Sequence, residues 1–179
     1  MFIAKQKRKE NIAEYIIYLY QVEDLIRAFK LDMDSIRENL LTAYNADDET
    51  SEDILRWYKN LVVMMEKEGK KEKGHLQFIV NMLSDLNEFH LRLLETGADK
   101  MYTRIFAAVA GLISELKQKN PDSDDDVPVA IDGIYGYIML KIQKKEITQE
   151  TENAVKRISQ WLSYLSRLYK NYEKGEFEL

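Results

Sequence analysis

The sequence predicts an all-α protein, a single-domain helical bundle of about six to seven helices over residues 1–179, mostly up-and-down. Three observations carry that expectation. Apolar residues recur at the roughly 3.6-residue period of a helix from Ile12 to Tyr172. Only two prolines and seven glycines interrupt them. No stretch alternates apolar and polar residues as a half-buried strand does. With 45% hydrophobic residues, the chain has enough apolar material to build a core.

The spacing predicts a first helix from about Lys5 to Lys30 and a short second one, capped by Asp32 or Asp34, to about Tyr44. The polar stretch Asn45 to Thr50 leads to a third helix, Ser51 to about Glu68, with Ser51 as its cap. Gly69 and Gly74 bracket a loop, and a fourth helix runs from about His75 to Glu95, where Gly97 stops it. The fifth spans about Ala98 to Lys119, closed by Asn120-Pro121. The sixth starts near Pro128, a favoured first-turn residue, and reaches about Lys145. Thr148 opens the last helix, which ends near Gly175; its seam of Ile158, Trp161, Leu165, Leu168 and Tyr172 marks it as a central member of the bundle.

A formal charge of −5 argues against a broad electrostatic footprint for nucleic acid or anionic lipid. The absence of cysteine excludes disulfides, thiolate zinc sites and cysteine nucleophiles. Lys5, Lys7, Arg8 and Lys9 imitate the start of a signal peptide, but Glu14, Gln21 and three tyrosines occupy the run that follows. The segment reads as the first helix of a cytoplasmic protein, and no stretch has the ~18 uncharged apolar residues of a membrane span.

Each catalytic template lacks an indispensable residue. Glu72 and His75 have the Glu-x-x-His spacing of dimetal bundles, yet no second copy exists, and Asn87 stands three residues before His90. His75 and His90, on one predicted helix, are about 22 Å apart at ~1.5 Å per residue, so they share no ion. Both fall near the stripe of Ile79, Met82, Leu86 and Leu93, where a neutral, hydrogen-bonded histidine is the expectation. A calcium loop begun at Asp122 needs glycine where Val127 stands and glutamate where Gly133 stands, so Asp122 to Asp126 reads as a solvated loop favouring the next helix N-terminus. Glu49 and Glu52 give half of a helical pyrophosphatase motif, but no Glu-x-x-Asp follows. No phosphate-binding, dinucleotide or nucleophile-elbow glycine pattern is present.

The residues that stand out are Glu23, Asp24 and Arg27 in the first helix. Glu23 and Arg27 lie toward its apolar side, four residues apart in the favourable order for a pair, which points to a polar network or a pocket. In the sixth helix, Gly133 and Gly136 beside Tyr135 and Tyr137 imply close approach of a neighbouring helix, a ligand or a subunit, because glycine there costs about 1 kcal/mol relative to alanine. No residue set qualifies as catalytic, and no metal or cofactor is predicted.

Met1-Phe-Ile-Ala-Lys-Gln-Lys-Arg-Lys-Glu-Asn-Ile-Ala-Glu-Tyr15 and Gln21-Val-Glu-Asp-Leu-Ile-Arg-Ala28 resemble the start of an uncharacterised Bacteroidetes family of all-helical proteins of about this length. The likeness continues through His75-Leu-Gln-Phe78, His90-Leu-Arg-Leu-Leu94, Gly133-Ile-Tyr-Gly136 and Lys144-Lys-Glu-Ile-Thr-Gln-Glu-Thr151. The resemblance implies a cytoplasmic bacterial protein and carries no catalytic residue with it.

The functional expectation is therefore a non-enzymatic helical interaction or regulatory protein, dimerising through a face rich in tyrosine and small residues and meeting a further protein partner, with no membrane association. The alternative is a metal- or small-ligand-binding bundle, or a hydrolase, with a polar pocket near Glu23, Arg27 and a histidine. Third in order is a nucleic-acid binder using the Lys5 to Lys9 cluster, which the overall negative charge disfavours.

Overall fold

The computed structural model describes residues 2–44, 48–120 and 123–179. Among them it contains helices and no strand: α1 (Phe2–Glu10), α2 (Ile12–Ala28), α3 (Met33–Tyr44), α4 (Asp48–Lys67), α5 (Gln77–Thr96), α6 (Lys100–Lys119), α7 (Asp126–Ile142) and α8 (Gln149–Glu173). Eight helices replace the six to seven expected, because the predicted first helix is two. Asn11 turns to extended backbone (φ −152°, ψ 106°), and its side chain accepts from the amides of Ala13 and Glu14. Its own amide group bonds Glu14 in return, 3.0 Å away. The apolar period runs straight through this cap, which conceals the break.

Other helix ends follow local chemistry. Asp32, not Asp34, caps α3 by accepting from the Ser35 amide at 2.9 Å. Helix α4 is already formed at Asp48, so Ser51 is not its cap; Asn45, Ala46 and Asp47 lie outside the described residues. Helix α5 starts at Gln77 rather than His75, since Gly74 takes a left-handed φ of 80°. The orphan amide of Gln77 is met across the loop by Glu68, at 2.7 Å. Gly97, at φ 64°, ends the helix as expected. Asp99 caps α6 and Thr148 caps α8, each accepting an amide three residues on. Helix α7 begins at Asp126, two residues before Pro128.

One buried hydrophobic cluster draws on every helix from α2 to α8. Helix α8 packs against α1, α2, α5, α6 and α7, the central place its seam predicts. Ile158, Trp161, Leu165 and Leu168 are buried, whereas Tyr172, at the end of the seam, is exposed. Helix α5 packs on α7 as well as α6, and α4 packs on α3 and α2. This arrangement brings α2, α7 and the α4–α5 loop together around the polar residues described next. No helix among the described residues is long and apolar enough to cross a membrane.

Candidate functional site

Of the residues singled out in the sequence, Glu23, Asp24, Arg27, His75 and Tyr135 come together, and His90 does not. Glu23 leaves the apolar side of α2 and is 1% exposed. Arg27 is not its partner. Glu23 Oε2 lies 2.6 Å from His75 Nδ1, and Glu23 Oε1 accepts from the Leu76 amide at 2.8 Å. A buried carboxylate is tolerated only when its oxygens have donors, and here the α4–α5 loop supplies both. Arg27 pairs instead with Asp24, at 2.7 Å, and donates to the carbonyls of Lys70 and Gly74. Two side chains of one helix thus clasp the loop at four points, because positions 23 and 27 share a helix face.

His75 sits in this loop ahead of α5, not on the helix with His90. Its ring stacks on Tyr20, with centroids 3.6 Å apart and planes 7° apart, and its side chain is 31% exposed. The Tyr20 hydroxyl is hydrogen-bonded to Asp132 of α7, which also accepts from Asn120 at 3.2 Å. Tyr135 meets Tyr20 edge-on and donates to Asp24. Burial pushes the Asp132 carboxyl above its ordinary value, against the pull of nearby His75 and of its hydrogen bonds to Asn120 and Tyr20. Burial also raises the phenols of Tyr20 and Tyr135, reinforced by the carboxylates beside them, so both stay neutral donors.

His90 is fully buried and belongs to a second network. Trp161 Nε1 donates to the Tyr102 hydroxyl at 3.1 Å, which leaves that hydroxyl's hydrogen for His90 Nδ1. His90 Nε2 then donates to Asp126, 2.9 Å away, and Asp126 pairs with Lys117 at 2.7 Å. The hydrogen bond from His90, helped by Lys117, holds the Asp126 carboxyl below its ordinary value against the opposing effect of burial. One turn earlier, buried Asn87 accepts from the Val127 amide at 3.1 Å. Asn87 and His90 therefore both meet the start of α7, Asn87 by capping the Val127 amide and His90 by bonding the Asp126 carboxylate.

Glu72 and His75 flank the left-handed Gly74, so the Glu-x-x-His spacing is not helical. Among the described residues no group of three His, Asp or Glu is arranged to hold a metal ion. Asp122 and Pro121 lie outside the described residues, as does the side chain of Lys5. Lys7 is 3.7 Å from Glu14, and Arg8 is 3.1 Å from Glu173.

The two helical glycines differ. A Cβ on Gly133 would stand 3.0 Å from Leu116 of α6, so tight helix packing accounts for it. A Cβ on Gly136 would meet nothing within 4 Å. Gly136 opens into a groove of about 480 Å³ between α6, α7 and α8.

Sequence reasoning missed Tyr20, Asn120 and Asp132 in the first network, and Tyr102, Lys117 and Trp161 in the second. Asp132 alone carried a signal, an acid between Ile131 and Gly133 in an otherwise apolar helix. No curated protein and no solved structure matches the chain. A family match covers residues 1–176, and on it the chain belongs to the family described as Domain of unknown function (DUF4924).

Proposed function

We propose that this protein is a non-enzymatic interaction or regulatory protein that works through the outer surface of α7. The carrying observation is the way burial falls away along that helix. Val127, Val129, Ala130, Ile131 and Ile134 are buried, yet the equally apolar second half ends with Leu140 41% exposed and Ile142 65% exposed. A helix apolar on all sides is normally covered. The polar networks support the same reading, because the hydrogen-bonding atoms of Glu23 and the ring nitrogens of His90 are engaged within the fold. The reading takes the chain as one mostly up-and-down domain in the cytoplasm of a Bacteroidetes bacterium, as its resemblance implies.

The test is a photo-reactive amino acid at Leu140 in the native cell, with exposed Lys59 of α4 as control. A discrete protein adduct from position 140 that disappears with Ile142→Glu is the expected result. Equal, diffuse labelling from both positions overturns the reading.

A further inference from the structure

We propose that the cleft between α2 and α8, floored by α7, is a binding site for an uncharged, flat heteroaromatic molecule of the nucleobase class. The cleft has a volume of about 360 Å³, inside the ~300–1,000 Å³ range of small-ligand pockets. It lies apart from both surfaces described above. At ~100° per residue, the residues that α2 contributes, Glu14, Ile17, Tyr18 and Gln21, stand on the opposite side of that helix from Glu23 and Arg27. Ile134 and Ile138, which α7 contributes, likewise point away from Gly136 and Leu140. The sequence directs attention to a pocket at Glu23 and Arg27, yet the space opens on the far side of the same helix.

The distribution of polar groups says what fits. Ile134 and Ile138 make an apolar floor, with Ile17 of α2 and Leu162 of α8 beside it. Uncommitted neutral groups stand on the two walls: Gln21 on α2, and Ser159 and Ser163, one turn apart, on α8. Among the described residues none of these three side chains has a hydrogen bond within the chain, although a helical serine can bond the carbonyl four residues back. A molecule resting on the floor needs an apolar face, and one that reaches both walls needs donors and acceptors around its edge. A nucleobase has both. A pyranose carries a ring of hydroxyls, more than one amide and two hydroxyls can serve. Lys7 and Glu14 are the charged side chains of the lining; they lie 3.7 Å apart and offset each other, so a ligand charge finds no free partner. Asn11, also on the lining, is occupied as the cap of α2.

The test is a titration of the isotope-labelled full chain with adenosine, guanosine, cytidine and uridine, each to about 1 mM, followed by amide NMR. At least one nucleoside should shift the amides of Gln21, Ile138 and Ser163 along a single saturation curve, while methyl glucoside should not. Gln21→Leu and Ser163→Ala, both at exposed positions, should each weaken that nucleoside about tenfold, as for one lost hydrogen bond. Ile138→Trp, which fills the floor, should abolish binding, and circular dichroism verifies that each variant folds. No shift from any of the four nucleosides overturns the proposal, as does binding that Gln21→Leu and Ser163→Ala leave unchanged. Methyl glucoside binding as tightly as the best nucleoside overturns it too. The labelling experiment at Leu140 stands or falls separately, because that position lies on the other side of α7.

Discussion

Glu23 Oε2 and His75 Nδ1, 2.6 Å apart, join the middle of α2 to a loop 52 residues further along the chain. The bond closes a clasp. With the Leu76 amide on the other oxygen and Arg27 on the carbonyls of Lys70 and Gly74, α2 fixes where α5 begins. Since Leu76 provides no side-chain cap of its own, the start of α5 depends on groups outside it.

Glu23→Ala should therefore cost about 3 kcal/mol, the range for removing one member of a buried, hydrogen-bonded pair. Urea denaturation measures the loss, and hydrogen exchange should show the Leu76 amide losing protection before the rest of α5. A double-mutant cycle with His75→Ala should give a coupling well above ~0.5 kcal/mol, the level expected of independent sites. A loss under ~1 kcal/mol with Leu76 still protected would refute the clasp.

Asn87 makes a separate contact of the same kind. It is buried and meets the Val127 amide, one of the donors that the first turn of α7 leaves without a helical partner. Asn87→Ala should destabilise the protein by roughly 1–2 kcal/mol, the cost of stranding that amide, and Asn87→Asp, which keeps the acceptor, should recover part of it. Identical losses from the two substitutions would show that the oxygen is not what matters.

The helices were legible wherever period and punctuation agree, as at Gly97 and Thr148, and illegible where the period runs over a break. Asn11-Ile-Ala-Glu14 has the spacing of a capping box, but Ile12 continues the apolar face on either side of it. The clasp was half legible. A glutamate and an arginine four apart on an apolar face announce a buried polar network, but which loop answers them depends on tertiary structure. Asn87 was noticed only as a failed metal spacing, because a side chain that caps another helix has the same local pattern as one that binds an ion; His90 was expected to be a hydrogen-bonded histidine near the core, but its partners Tyr102 and Asp126 come from other helices and have no local signal. Tyr20 and Trp161 look like ordinary core aromatics in sequence, and their hydroxyl and indole partners appear only in the packed fold.

The two desolvated aspartates should respond to pH in opposite directions. Asp126 has a lowered carboxyl, so its contribution is complete above the ordinary 3.8 and is lost as pH falls through the lower folded value. Asp132 has a raised carboxyl, so its contribution is complete below 3.8, where folded and unfolded chains are both protonated, and is lost as pH rises through the higher folded value. Asp126→Asn should thus destabilise at pH ~7 and do so less at pH ~3, whereas Asp132→Asn should be relatively more stabilising at pH ~7 than at pH ~3. Urea midpoints at the two pH values decide it, and parallel behaviour of the two variants would contradict the assignment.

Gly133 and Gly136 allow the last comparison, because they stand three residues apart on one helix and differ in what faces them. Alanine is favoured over glycine in a helix by about 1 kcal/mol when nothing obstructs its methyl group. At Gly136 nothing does, so Gly136→Ala should stabilise the protein by roughly 0.5–1 kcal/mol. At Gly133 the new methyl would stand 3.0 Å from Leu116 Cδ1. Leu116 is packed against the core, so it must shift to make room, and the shift offsets the helix gain. Gly133→Ala should therefore gain less than Gly136→Ala or lose outright. Thermal and urea unfolding measure both, and an equal gain at the two positions would mean that Leu116 yields freely and that Gly133 is not there for packing.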